Sequence, residues 1–229
     1  MRIRNPFKSL NRTERVIWSI SVLLVTLSYV LGGEGIMSFI ASLIGVTALI
    51  FVSKGDVFGQ EMVVIFSLLY AIISYGFGYY GEMITYLGMT APTAVLSVIS
   101  WLKNPYKEGK SEVKVAVLNL KTAVMLFLLS LIVTFVFYFI LKYFNTTNLF
   151  FSSVSVFTSF LAGSLTFLRS PYYAVAYAAN DIVLIVLWIL AALEDSSYLP
   201  MVICFAAFLL NDLYGFVNWR KIQARQSIE

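Results

Sequence analysis

The chain has 229 residues, 60% of them hydrophobic and only 12% charged, with a mean hydropathy of +0.86. This balance excludes an ordinary soluble protein and describes one integral membrane domain, with no room for a soluble domain of more than about 50 residues. A formal charge of +4 and a pI near 9.1 would suit nucleic acid, but the basic residues gather beside helix ends instead of forming one stripe, so a lipid bilayer is the expected partner and nucleic acid is not.

Apolar stretches long enough to cross a bilayer, about 17 residues or more, recur along the chain. The start, MRIRNPFKSLNRTER, carries Arg2, Arg4, Lys8, Arg12 and Arg15. The apolar run after it exceeds a usual signal core and has no small-x-small site behind it, so a retained helix is expected over 16–32. Further helices are expected over 36–53, 58–77, 82–102, 114–141, 151–168, 172–193 and 198–219, which makes eight spans.

Within this series, Pro92 sits inside the fourth span and should kink it, freeing a carbonyl beside Thr90 and Thr93; packing and function are both open as its reason. Ser170-Pro171 suits the start of the seventh span, and Gly76, Gly78 and Gly81 surround an outer turn. Lys114 and Lys121 are expected to open the fifth span, with their stems reaching toward the interface.

Lysine and arginine sort by side. With the N-terminus inside, the inner segments hold the basic start, Lys54, Lys103, Lys107, Lys110, Arg169, Arg220, Lys221 and Arg225. The outer segments hold Glu34, Glu82, Glu194 and Asp195, with Lys142 as the basic exception. Both termini are therefore expected in the cytoplasm.

Sliding the chain by 118 residues lays Gly45 on Gly163, Tyr70 on Trp188, Tyr80 on Tyr198, Trp101 on Trp219 and Lys103 on Lys221. Thr93 then meets Asn211 and Ser97 meets Gly215. The reading that follows is two three-helix repeats, 36–103 and 154–221, joined by a linker helix over 114–141 and preceded by the extra helix 16–32. Three spans plus one is an even number of crossings, so the repeats point the same way, a transporter plan with its substrate at the repeat interface.

Polar residues at membrane depth point to a solute site, because hydrocarbon offers an amide or carboxylate nothing to bond. Asn180-Asp181 and Asn211-Asp212 are such pairs. Tyr173, Tyr177, Asn180, Asp181, Leu184 and Trp188 fall along one helical stripe, and Asn211, Gly215 and Asn218 along another. From the first repeat, Gln60, Ser67, Tyr70, Thr93 and Ser97 are candidates at helical spacing. Helix packing or back-bonding is the favoured role for Ser67 and Ser97. Asp181 and Asp212 admit three roles: balancing a cationic ligand, accepting structural hydrogen bonds, or carrying a coupling proton. Histidine is absent and Cys204 is the one cysteine, so neither metal, cofactor nor disulfide is expected.

The motifs YGEM at 80–83, the helix from Pro92 to Trp101, NDIVLIVLW at 180–188 and NDLYGFVNW at 211–219 resemble those of the Pnu vitamin transporters, the family of the PnuC-type nicotinamide riboside carriers, over about residues 36–221. The resemblance implies an all-α, SWEET-like 3+1+3 bundle with an extra N-terminal helix, a homotrimer and a place in a bacterial cell membrane. It also implies uptake of nicotinamide riboside, an NAD precursor, by facilitated diffusion with alternating access, and no enzyme activity. Members commonly carry two tryptophans three apart before the Asn-Asp pair, where this chain has Ala174 and Tyr177. That departure leaves thiamine or a deoxynucleoside open as the cargo, and proton-coupled uptake open as the mode.

For a nicotinamide riboside, Tyr177 and Trp188 would stack on the cationic ring, a contact worth roughly 0.5–2 kcal/mol. Asn180, Asn211 and Asn218 would serve its carboxamide or hydroxyls, each both donating and accepting. With Asp181, Gln60, Tyr70 and Thr93 they complete the expected substrate site. An intramembrane enzyme is disfavoured, since no Gly-x-Ser-Gly nucleophile with histidine and no repeated aspartate metal motif occurs. A receptor without transport is the third class, which the repeated axial polar stripes disfavour.

Overall fold

In the computed structural model, which describes residues 6–32, 35–76, 79–108 and 111–228, the short polar residues Asn11, Asp56, Asn119 and Asn148 each stand immediately before a helix. Arg2, Arg4, Glu34, Gly78 and Lys110 lie outside the described residues. Asn11 and Glu14 form a reciprocal box: Glu14 N donates to Asn11 Oδ1 at 2.9 Å and Asn11 N donates to Glu14 Oε2 at 2.7 Å. This box starts α1 (Arg12–Gly32) earlier than its apolar run does. Next, α2 (Ile36–Ser53) ends at a turn where Gly55 takes a φ of +70°, a region costly for other residues. Asp56 Oδ1 then accepts Phe58 N at 3.1 Å as α3 (Val57–Gly76) begins.

The fourth span, α4 (Tyr80–Lys103), is α-helical over Tyr80–Thr85, makes one π turn over Tyr86–Thr90 and is α-helical again over Ala91–Lys103. Pro92 has no N–H to return to the turn before it, and the widened turn falls there. The irregularity expected at Pro92 is thus a π turn. After it, α5 (Leu120–Tyr143) starts later than its charge pattern suggests. Lys114 is not helical, since its N–H is taken by Asn104 O at 2.9 Å, and Asn119 caps the helix by accepting Thr122 N at 2.7 Å. The chain finishes with α6 (Leu149–Phe167), α7 (Tyr173–Glu194) and α8 (Leu199–Gln226). The last helix runs on past the apolar segment through Arg220, Lys221 and Arg225.

Among the described residues these are eight helices long and apolar enough to cross a membrane, and the fold is all-α apart from two isolated β-bridges, Asp56 with Glu112 and Pro105 with Val113. The chain is a multi-pass membrane protein. Outward surfaces carry Leu128, Phe135, Phe139, Ile72 and Leu213, side chains that hydrocarbon accommodates and water does not. α5 packs on α6 and buries only Leu126, Ser130 and Leu141. α1 lies against α2 and α8 and buries Glu14, Ser21, Val25 and Ser28 along one face.

The helices matched by the 118-residue offset exchange contacts reciprocally. α2 packs on α8, and α6 packs on α4. Trp219 Nε1 on α8 donates to Val52 O at the end of α2, and Trp101 Nε1 on α4 donates to Thr166 O at the end of α6, both at 2.9 Å. Beside them Asn218 Nδ2 donates to Ser53 O at 2.9 Å, and Ser100 Oγ donates to Phe167 O at 2.8 Å. The two indoles meet with ring centroids 5.4 Å apart. Each bond feeds a carbonyl in the last turn of a helix, where the helix itself leaves acceptors open.

The turns correspond as well. Gly55 follows α2 and Arg169 follows α6, with φ of +70° and +58°. Their numbers differ by 114, whereas Trp101 and Trp219 differ by 118. A single offset therefore does not align all three helices, and the four extra residues of the second set fall between its turn and its last helix.

At the basic end of the bundle, Glu14 is 2% exposed and pairs with Lys54 Nζ at 3.2 Å, while Tyr214 Oη donates to its other oxygen at 3.3 Å. Lys54 also donates to Ser9 O at 2.6 Å. This ties the segment before α1 to the turn after α2. A buried charge with its partner in place is tolerated; the same charge alone costs several kcal/mol, about 3–5.

Candidate functional site

The interior of the bundle holds a cavity with about 60 Å³ of free space, lined by α2, α3, α4, α6, α7 and α8. Polar groups collect on one side of it: Gln60, Ser159, Tyr177, Asn180, Asp181 and Asp212. Aromatic rings close another, where Phe66 meets Phe208 edge to face at 5.4 Å, Phe205 meets Phe208 at 5.4 Å and Phe66 meets Tyr86 at 6.2 Å. Small-molecule sites typically occupy roughly 300 Å³ or more, so the cavity is small beside such sites.

Asn180 is 4% exposed and is fixed by α6. Its Oδ1 accepts from Ser155 Oγ at 3.2 Å, Thr158 Oγ1 at 2.8 Å and Ser159 Oγ at 2.9 Å. These hydroxyls sit at i, i+3 and i+4 of one helix and so share a face. Asp181, the next residue of α7, and Asp212 of α8 line the same cavity and interact electrostatically. Asp181 Oδ2 is buried and has no protein partner among the described residues. Tyr177 lines the same cavity one helical turn from Asp181.

Of the residues expected from the sequence, Gln60, Tyr177, Asn180 and Asp181 come together around this cavity. The others lie elsewhere. Tyr70 forms a second layer behind the aromatic wall, with centroids 4.3 Å from Tyr86 and 6.1 Å from Phe205. Trp188 is further out, packed on Tyr79 at 5.2 Å and Tyr198 at 5.8 Å. The Tyr70 hydroxyl and Trp188 Nε1 approach each other without closing a well-formed hydrogen bond. Thr93 back-bonds to Met89 O and rests its methyl against Gly163, at the contact between α4 and α6.

Asn211 turns away from the cavity toward α1, donating to Ser21 Oγ at 2.9 Å and to Ala207 O at 2.8 Å. Of this pair Asp212, the next residue on α8, is the one that lines the cavity. Asn218 is spent on the Ser53 carbonyl. Ser67 and Ser97 back-bond to Val63 O and Thr93 O, as favoured above.

The residues that sequence reasoning missed are the α6 hydroxyls Ser155, Thr158 and Ser159 and the rings of Phe66, Tyr86, Phe205 and Phe208. A signal for the former was present: SSVSVFTSF at 152–160 places hydroxyls on one face of an otherwise apolar helix. The rings carried no comparable signal, since they are four among the 19 phenylalanines and 14 tyrosines of the chain.

Comparison with known proteins bears on what such a cavity holds. A profile of the nicotinamide mononucleotide transporter family matches residues 35–221. The nicotinamide riboside transporter PnuC of Neisseria mucosa is 26% identical over 203 residues, covering 87% of this chain and 77% of that protein. The protein of the same name from Haemophilus influenzae is 24% identical over 226 residues, covering 98% and 97%. A crystal structure of the vitamin B3 transporter PnuC superposes with a TM-score of 0.84 at 25% identity, covering 95% of this chain and 94% of that one.

Proposed function

Since the chain belongs to the nicotinamide mononucleotide transporter family, we propose that it carries nicotinamide riboside across the bacterial cell membrane by alternating access, as a transporter and not an enzyme. The observation that carries this reading is the cavity itself: aromatic faces, a fixed amide and paired carboxyls converge at the centre of the bundle. A cationic aromatic ring is favoured there by Tyr177 and by the carboxyls of Asp181 and Asp212. Gln60 and Asn180 supply donors and acceptors for the uncharged groups. Relatives that share 24% and 26% of residues bear the nicotinamide riboside name.

In this reading α2 to α4 and α6 to α8 are two like-oriented repeats, α5 is the linker, and α1 is an added helix. The reciprocal tryptophan bonds support it. The basic end, with Lys54, Lys103, Arg169, Arg220 and Lys221, faces the cytoplasm, as do both termini. The exposed apolar side of α5 is available for a homotrimer. Flux is passive, by facilitated diffusion, and phosphorylation inside the cell retains the cargo.

A melting-temperature panel on detergent-purified protein tests the substrate, because a ligand that selects the folded state stabilises it in proportion to its occupancy. Nicotinamide riboside is expected to raise the melting temperature, while thiamine and deoxynucleosides leave it unchanged. A shift with thiamine or a deoxynucleoside alone would reassign the cargo within the family.

A further inference from the structure

A smaller cavity lies at the end of the bundle opposite the basic one. It holds about 30 Å³ of free space between the start of α4, the turn from α5 to α6 and Leu187 of α7. About 10–15 Å³ accommodates one water-sized sphere, so one or two such spheres fit, and an organic cation or a fully hydrated ion does not. Glu82, the acidic residue of the YGEM stretch, lines this space. Charge sorting set it among the outer segments, yet it is 4% exposed, and its Oε2 has no hydrogen-bond partner among the described residues. No lysine or arginine among them pairs with it either. Thr146, in the turn, lines the same cavity, and its Oγ1 is also buried without a partner among the described residues. The turn comes this close because residue 81 is glycine: an added Cβ would stand 2.6 Å from Thr146 Oγ1 and 2.9 Å from Leu141 Cδ2.

A buried carboxylate without a counter-charge is costly, and at membrane depth it calls for a partner. Both of the unpartnered atoms are oxygens, the ligand type that hard cations take. One carboxylate balances one positive charge. Among the described residues no three acidic, histidine or cysteine side chains gather as a metal site. Divalent ions, which call for more such ligands or keep several waters, therefore do not match. We propose that this cavity binds a dehydrated monovalent cation of sodium's size, held by Glu82 and the Thr146 hydroxyl, with Thr147 and Ser152 beside them. The ion joins α4 to the turn that leads into α6, while the indole bonds of Trp101 and Trp219 act at the basic end. The two cavities share no lining residue, so the cation touches no cargo and its site stands whichever cargo the central cavity takes.

The melting temperature of the purified full-length protein in detergent, with sodium chloride exchanged for choline chloride at constant total salt and no cargo present, tests the site. Sodium is expected to raise the melting temperature saturably, by about 2–4 °C or more; choline, too large for the cavity, is not. Glu82→Gln keeps the size of the side chain, removes its charge and should abolish the sodium response. Thr146→Val keeps the shape of the turn and removes one oxygen, and should raise the sodium concentration that gives half the effect by about 5-fold or more. Because Thr146 lies in a turn, this second variant reads the site even where Glu82→Gln folds poorly. The same melting temperature in sodium and in choline, or a sodium response unchanged in Thr146→Val and in Glu82→Gln, would overturn the proposal: the cavity would then hold water, and Glu82 its own proton.

Discussion

Asn180 shows how a single side chain acquires a direction inside a membrane. An amide in hydrocarbon has to find partners, and α6 offers three hydroxyls to one of its ends. Tyr177, one turn before Asp181, lines the cavity and gives it a ring face. Tyr177→Ala removes that face, and an uptake assay should show substrate affinity down about 5- to 30-fold, the worth of one cation–π contact of roughly 1–2 kcal/mol, with membrane insertion unchanged. An affinity unchanged within a factor of two would move the ring-binding wall to Phe66 and Tyr86. At this scale the residues Asn180, Asp181, Tyr177 and Gln60, which line the cavity, were legible in the sequence because polar and aromatic residues stand out against apolar helices. It misplaced Asn211 and Trp188 because helical stripes drawn on one helix do not say which neighbour each stripe meets; Asn211 found Ser21 of α1 instead.

Whole helices approach closely enough here for one methyl group to matter. Gly45 on α2 lies where an added Cβ would stand 2.4 Å from Phe208 Cζ on α8, and both residues line the cavity. Gly45→Ala is expected to push the Phe208 ring inward, lowering stability by about 1–3 kcal/mol and impairing transport more than expression; unchanged transport kinetics would show that the ring has free space behind it. The reciprocal indoles make a second prediction at this scale. Trp101→Phe and Trp219→Phe each remove one hydrogen bond to a helix-end carbonyl and should lower stability by similar amounts, of order 1–2 kcal/mol each, seen as matched drops in melting temperature. A neutral result for one of them would show that the two ends are not equivalent. The π turn of α4 was legible only as an irregularity at Pro92, since missing backbone hydrogen bonding marks a position without choosing a kink or a widened turn. The late start of α5 was not legible, because Lys114 is taken up by pairing with Asn104, a contact made by folding and not by local pattern.

Across the whole molecule, the eight-span count followed from hydropathy alone, and the correspondence of Trp101 with Trp219 from a shared offset. The four-residue slip between the turns and the last helices was hidden because apolar helices tolerate small register shifts without a change in pattern. What the assembled helices suggest is a device with one central cavity, closed in this conformation to about 60 Å³, whose two halves hold each other by exchanged bonds at the basic end. In the proposed reading, cargo moves when one half rocks against the other. The most direct test is uptake of radiolabelled nicotinamide riboside into proteoliposomes containing the purified full-length protein and nothing inside to consume it. The account predicts entry that stops when internal and external concentrations are equal and is unaffected by an imposed pH gradient; accumulation above the external concentration driven by that gradient, or no entry beyond protein-free vesicles, would contradict it.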